Sequence, residues 1–304
     1  MILPLITLLL CIFWFLHGLG WLRIIAAGRF QWECRKRFPQ ENGFQPKALN
    51  PTTPIDPETP TLLWLGHSCF LLYLQGQTLL FDPVFSGAVS KIARRMLAIP
   101  HVGELPRLDQ ILVSHGHMDH LDPKTLLCFR ETPILMPRKT EQLIPKSIRN
   151  QLTIHTIDSN ETHTCGAIEI IPVPARHGGW RYPHQRGYKA FGYILRSNEQ
   201  CVYFAGDTAF GPHFKMIGDT YKPEIAILPI GAYAPRFFLK SRHMNPAEAI
   251  EAAEILGVKK IVPCHFGTYR VANDTPWEAI TDFTRRMRSK THSFLWELPF
   301  WAGL

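Results

Sequence analysis

No CxxC pair occurs in this 304-residue chain, and its seven cysteines (Cys11, Cys34, Cys69, Cys128, Cys165, Cys201 and Cys264) are odd in number. That usage argues against a disulfide scaffold and fits a reducing compartment. Cys69, Cys128 and Cys201 lie in apolar runs and read as small core residues. Charge is also scarce, at 19% of residues against 46% hydrophobic, which excludes global disorder and permits a sizeable core. Acidic residues are the scarcer sign, 25 against 33 Lys and Arg, for a net charge of +8. Such a balance favours acidic partners such as anionic lipid, nucleic acid or phosphorylated substrates. The basic cluster "IARR" is too small to argue for nucleic acid, and none is expected as a partner. Internal repeats and low-complexity tracts are missing as well.

No positive charge precedes the apolar N-terminus "MILPLITLLLCIFWFL", as it would in a cleavable signal peptide. Together with "HGLGWLRIIAAG" the stretch reaches the roughly 20 apolar residues that a membrane-spanning helix needs. Residues 1–27 are therefore expected to form an uncleaved apolar anchor helix. Arg23, Arg29, Arg35, Lys36 and Arg37 follow it and would keep the downstream domain on the cytoplasmic side. Residues 28–60 read as a linker, because six prolines between residues 38 and 60 cannot continue a helix. Residues 61–304 form the expected catalytic domain.

Within that domain, short apolar runs alternate with helical patterns. "TLLWLGHSCFLLYL" and "QTLLFDP" read as two strands joined at "QGQ". "QILVSH", "AIEIIPVPARH", "YILRS", "QCVYFAGD", "EIAILPIGAY" and "KKIVPCHFG" are further strand candidates. "LDPKTLLCF" opens a helix with Asp122 as cap and Pro123 at the first helical position. "NPAEAIEAAEILG" has Asn245 as cap, Pro246 to open, Glu248 to complete a capping box and Gly257 to stop. This ordering points to a layered α/β domain.

The densest chemistry is "SHGHMDHLD". His115 follows an apolar β-branched strand, and Gly116 weakens any helix there. In an extended segment His115 and His117 point to the same side and can grip one cation together. Asp119 and His120, past the turn, are placed to reach a second. Three further candidates end strands: His177, Asp207 and His265. Asp207 can bridge two cations. One cation would then take His115, His117, His177 and Asp207, and the other Asp119, His120, His265 and Asp207. Imidazole with carboxylate suits Zn²⁺, with Fe or Mn as alternatives. Cys264 beside His265 points the opposite way on its strand and reads as core.

The run His115-Gly116-His117-Met118-Asp119-His120, a lone His177, Asp207 in "GDT" and a final His265 resemble the metallo-β-lactamase superfamily. The resemblance covers about residues 61–270 and implies a four-layer αββα sandwich with a dinuclear metal site at its rim. It implies that Asp82 in "FDPVF" supports the metal loop. "WLGHSCFLL", "FDPVFS", "PARH", "PIGAYAPR", "HMNPAEA" and "HFGTY" are similar to one branch, the N-acyl-phosphatidylethanolamine phospholipase D enzymes and their bacterial relatives. That branch implies a zinc-dependent phosphodiesterase acting on a phospholipid-like substrate, with His243 beside the metals. A related branch implies hydrolysis of a soluble ester or a phosphorylated sugar lactone.

Paired zinc ions lower the pKa of bound water to roughly 7, so a metal-bridging hydroxide is the expected nucleophile. Asp119 would orient it, and His243 or a water would protonate the leaving group. His67 reads either as a support for the site or merely as a turn residue, and it is not counted among the site residues. Two stretches are candidates for lipid contact. "SGAVSKIARRMLAIP" has the pattern of a basic amphipathic helix, and "YAPRFFLKSR" sets Phe237, Phe238 and Leu239 among basic residues.

Overall fold

The computed structural model describes residues 60–90, 93–97, 101–181, 187–289, 291–296 and 302–303. The expected anchor at 1–27 and the linker at 28–60, save its last proline, lie outside these residues. Among the described residues no helix is long and apolar enough to cross a membrane.

The chain begins its first sheet with the antiparallel strands β1 (Thr61–Gly66), β2 (Cys69–Leu74) and β3 (Gln77–Phe81). The sequence pattern reads as one strand where β1 and β2 stand. Gly66 and His67 both take positive φ, 107° and 57°, and fold that run into a tight hairpin. Strands β4 (Ala88–Val89) and β5 (Ala93–Arg94) pair as a small ribbon. This overturns the amphipathic helix expected over "SGAVSKIARRMLAIP". Its described residues, 86–90 and 93–97, are not helical, because the Arg95 guanidinium donates to Leu65 O and Val84 O, and Met96 N donates to Thr268 O. Periodicity cannot foresee bonds to residues so distant in the chain.

Strands β6 (Gln110–Leu112), β7 (Ile134–Pro137) and β8 (Ile154–Ile157) then extend the sheet in parallel from β3. The second sheet runs from β9 (His163–Cys165) through β10 (Ile168–Pro174), β11 (Phe191–Arg196), β12 (Cys201–Phe204), β13 (Ile225–Pro229) and β14 (Lys260–Cys264) to β15 (Leu295–Trp296). Its first four strands are antiparallel and its last four parallel. A final strand, β16 (Ala302–Gly303), returns to the first sheet beside β1. Each sheet thus has seven strands.

Alternation along β1 shows how the layers stack. Leu62 and Trp64 face a central core that includes Tyr193, Phe204 and Ile227 of the second sheet. Leu63 and Leu65 face an outer cluster with Leu126, Phe129 and Ile144. The Phe81 and Phe204 rings meet between the sheets, with centroids 4.8 Å apart. Helices α1 (Pro123–Leu127) and α2 (Lys146–Arg149) cover the outer face of the first sheet. Helix α3 (His213–Tyr221), after which comes the short α4 (Arg236–Leu239), packs with α5 (Pro246–Leu256) and α6 (Glu278–Ser289) as the other outer layer. Two sheets between helical layers form the expected mixed α/β sandwich. Burial of each large apolar side chain stabilises it by about 1.5–3 kcal/mol.

The caps read from sequence are present. Asp122 accepts from Lys124 N ahead of Pro123, and Asn245 and Glu248 form a reciprocal box. Gly257 ends α5 in the left-handed region. Cys69 and Cys264 are buried as expected, and Cys201 is partly buried. Cys128 is exposed instead, because it caps the outward end of the short α1.

Candidate metal centre

The predicted ligands stand where strands end. His115 follows β6, His177 follows β10, Asp207 follows β12 and His265 follows β14 directly. Strands β10, β12, β13 and β14 share a direction, so the turns that carry His177, Asp207 and His265 gather at one end of the second sheet. His67, Asp82 and His265 all have positive φ without being glycine (57°, 38° and 61°). Such strained backbone costs of order 1–3 kcal/mol per residue and concentrates at functional sites.

All seven predicted ligands come together in two adjoining groups. One is His115, His117, His177 and Asp207, with donor atoms within 4.8 Å of one another. The other is Asp119, His120 and His265 joined by His67. Asp207 Oδ2 lies between them, 3.2 Å from both His120 Nε2 and His265 Nε2, 3.7 Å from His177 Nε2 and 3.8 Å from His115 Nε2. His243 also reaches this point: its Nδ1 is 3.9 Å from Asp207 Oδ2.

Tautomers can be read from the outer hydrogen bonds. Ser114 Oγ donates to Asp82 Oδ2 at 2.6 Å and accepts from His115 Nδ1 at 2.9 Å. His177 Nδ1 donates to Arg242 O at 2.9 Å. Both imidazoles therefore turn a bare Nε2 inward. These two atoms lie 2.9 Å and 3.0 Å from the same His117 Nδ1, where one proton can serve only one of them. His120 Nε2 and His265 Nε2 of the second group, and Asp207 Oδ1 between the groups, are buried and find no hydrogen-bond partner, despite the short separations of both rings to Asp207 Oδ2. Converging lone pairs and orphaned buried atoms are costly in a protein alone. They fit cations held by imidazole and carboxylate.

Protonation follows the same division. Burial, with neighbouring imidazoles, holds His115 well below its ordinary pKa. Burial and His177 push His117 down to about 3, and burial lowers His177. These rings are neutral at physiological pH, as ligands must be. Burial opposes charge on His120 and His265 too, but Asp207 and Asp119 outweigh it, with Asp82 adding to the effect on His120. His120 is raised well above the ordinary value and His265 to about 9. In return, His120 chiefly holds Asp119 and Asp207 well below the carboxylate range against the effect of burial. The carboxylates thus favour positive charge at this point, the charge that a bound cation would supply in place of protons.

Asp82 lies behind His120 and Ser114. It accepts from His120 Nδ1 at 2.7 Å, from Ser114 N at 2.7 Å and from Ser114 Oγ. Such outer partners fix ring orientation and raise ligand basicity. His67 was left undecided by the sequence, yet its Nε2 lies 3.1 Å from Asp119 Oδ2 and its ring centroid 4.0 Å from that of His265. The signal was the "LGHS" hairpin, visible only once Gly66 and His67 are known to turn the chain. Arg181 carries no signal in the sequence. It clamps the metal loop by donating to Gly116 O and Leu121 O.

Residues 77–266 match the profile of the Beta-lactamase superfamily domain. The chain is 31% identical over 229 residues to an N-acyl-phosphatidylethanolamine-hydrolyzing phospholipase D of Caenorhabditis elegans, covering 68% of this chain and 63% of that protein. It is 31% identical over 220 residues to a UPF0173 metal-dependent hydrolase of Methanopyrus kandleri, covering 71% and 88% respectively. A possible metal-dependent hydrolase from Veillonella parvula superposes with a TM-score of 0.64 at 18% identity over 81% of this chain and 99% of that one, a likeness of fold.

Proposed function

The chain belongs to the β-lactamase superfamily and is a metal-dependent hydrolase, and from that premise we propose that it is a phosphodiesterase cleaving a phospholipid-like substrate. The observation that carries the hydrolytic chemistry is Asp207, set between two groups of inward-facing imidazoles. The choice of a lipid phosphodiester rests on the similarity to the C. elegans phospholipase. Two Zn²⁺ ions are the proposed cofactors, with Fe or Mn as alternatives.

His115, His117, His177 and Asp207 would hold one cation, and Asp119, His120, His265 and Asp207 the other. Bound there, the cations would supply Lewis acidity and a water acidic enough to ionise near pH 7. Asp119 presents a carboxylate oxygen at the rim, oriented by His67, and can align the attacking water. His243 is buried and neutral at physiological pH, since burial lowers its pKa well below the ordinary value. It stands close enough to position the phosphoryl group or relay a proton from solvent to the leaving oxygen. No serine or cysteine nucleophile is needed.

The test is turnover of bis-p-nitrophenyl phosphate and of N-acyl phosphatidylethanolamine in detergent, both abolished by His117→Ala. Turnover of a lactone or simple ester without either diester would overturn this reading. It would favour the smaller-substrate hydrolase, to which the similarity to UPF0173 proteins lends weight. Anchoring by residues 1–27, with the catalytic domain on the cytoplasmic side, belongs to the same proposal. Deleting those residues should release the protein from membranes.

A further inference from the structure

Phe237 is 93% exposed and Phe238 55% exposed, side by side on α4. Isolated exposed apolar residues are ordinary, but two adjacent phenyl rings held in water are not. Their surroundings are basic: residues 231–247 include Arg236, Lys240 and Arg242 and no Asp or Glu. The carboxylates that reach the segment hold its stem. Glu248 is paired with Arg236 at 2.6 Å, and Asp274 accepts from Ala232 N and Ala234 N. Lys240 is exposed, and the Arg242 guanidinium lies 4.7 Å over the Phe238 ring. Aromatic rings beside cations that have no carboxylate partner among the described residues have the composition of an interfacial membrane contact.

The segment also belongs structurally to the metal centre. Arg242 N and His243 N both donate to Leu239 O, which locks the turn to α4. Arg242 O accepts from His177 Nδ1, and His243 itself faces Asp207. The exposed rings are therefore one rigid turn away from a proposed ligand.

We propose that α4 and the turn to His243 dock the rim of the metal centre onto an anionic phospholipid surface, the Phe237 and Phe238 rings entering it and Lys240 and Arg242 meeting its head groups. This rests on the lipid reading above and adds the surface on which the substrate is presented. A four-residue helix is small beside the roughly 800 Å² per partner of a stable protein interface. Two inserted rings with a cationic collar suit a bilayer.

The experiment is hydrogen–deuterium exchange of the full-length chain with vesicles of phosphatidylcholine, alone or mixed with phosphatidylglycerol. The mixed vesicles should slow exchange in residues 236–242 by roughly tenfold, the scale of one or two basic residues at an anionic leaflet, and pure phosphatidylcholine by less. Because the readout is local to that segment, binding through the N-terminal residues does not mimic it. Phe237→Ser with Phe238→Ser should abolish the protection and slow hydrolysis of vesicle-borne lipid, while leaving bis-p-nitrophenyl phosphate turnover in solution unchanged. Three results overturn the proposal: no vesicle-dependent protection, protection that survives the double substitution, or protection that appears with protein concentration alone, which would mark a face for a second copy. Protection without hydrolysis of N-acyl phosphatidylethanolamine would remove the phospholipase reading and leave the docking surface standing.

Discussion

His120 Nδ1 donates to Asp82 Oδ2 at 2.7 Å, with both side chains fully buried, and this bond aims His120 Nε2 at Asp207. Burial keeps the Asp82 carboxyl above its ordinary pKa, with His120 and Ser114 pulling the other way. Asp82→Asn preserves shape but places an amide donor against two donors, His120 Nδ1–H and Ser114 Oγ–H. The expected result is a loss of about 10–100-fold in zinc affinity, measured by competition with a chromophoric chelator. Parental affinity would show that Asp82 does not orient the site.

His67 makes a more selective prediction. Its ring contacts Asp119 and His265 and none of His115, His117 or His177. His67→Ala should therefore weaken only the second cation. After dialysis against a weak chelator, metal analysis should fall from two equivalents toward one, whereas His115→Ala should deplete the other position. Two tightly held equivalents in His67→Ala would contradict this.

The clustering of the candidate ligands was legible in the sequence because they sit in local patterns. His115 to His120 form one loop, and His177, Asp207 and His265 each close an apolar run, so strand ends could be found without knowing strand order. The caps at Asp122 and Asn245 were equally local. What escaped depended on contacts distant in sequence. Arg95 bonds to Leu65 O and Tyr269 Oη fix a ribbon where periodicity suggested a helix. The hairpin at Gly66 and His67 is hidden inside one apolar run. Arg181 acts through carbonyls, which carry no sequence signature.

Gly116 is required for space rather than for φ. A Cβ there would lie 2.6 Å from Gly179 O, a backbone atom, and would also strike the Leu143 side chain. Leu143 can shift, but Gly179 O cannot without disturbing its neighbours His177 and Arg181. Gly116→Ala should cost about 1–3 kcal/mol through overpacking and loosen metal binding as well. Urea denaturation of the metal-free protein tests the first part, and an unchanged midpoint would refute it.

His213 offers a pH dependence separable from the metals. It opens α3, is buried, and its Nε2 lies 3.1 Å from Thr208 Oγ1, the hydroxyl that accepts from Arg176 N. Burial and the Arg176 charge lower its pKa to about 4, and the positive end of the helix dipole acts in the same direction. In the unfolded chain the value returns to roughly 6.5. Between these limits the unfolded chain binds a proton that the fold refuses, so stability is intact above the upper limit and is lost as pH falls toward about 4. His213→Gln keeps a donor for Thr208 and cannot titrate. Urea midpoints of the metal-free parent and variant should diverge across this window, with the parent falling more steeply. Protonation of the metal-site histidines affects both proteins alike and cancels in the difference. Parallel curves would mean that His213 already accepts its proton in the folded state.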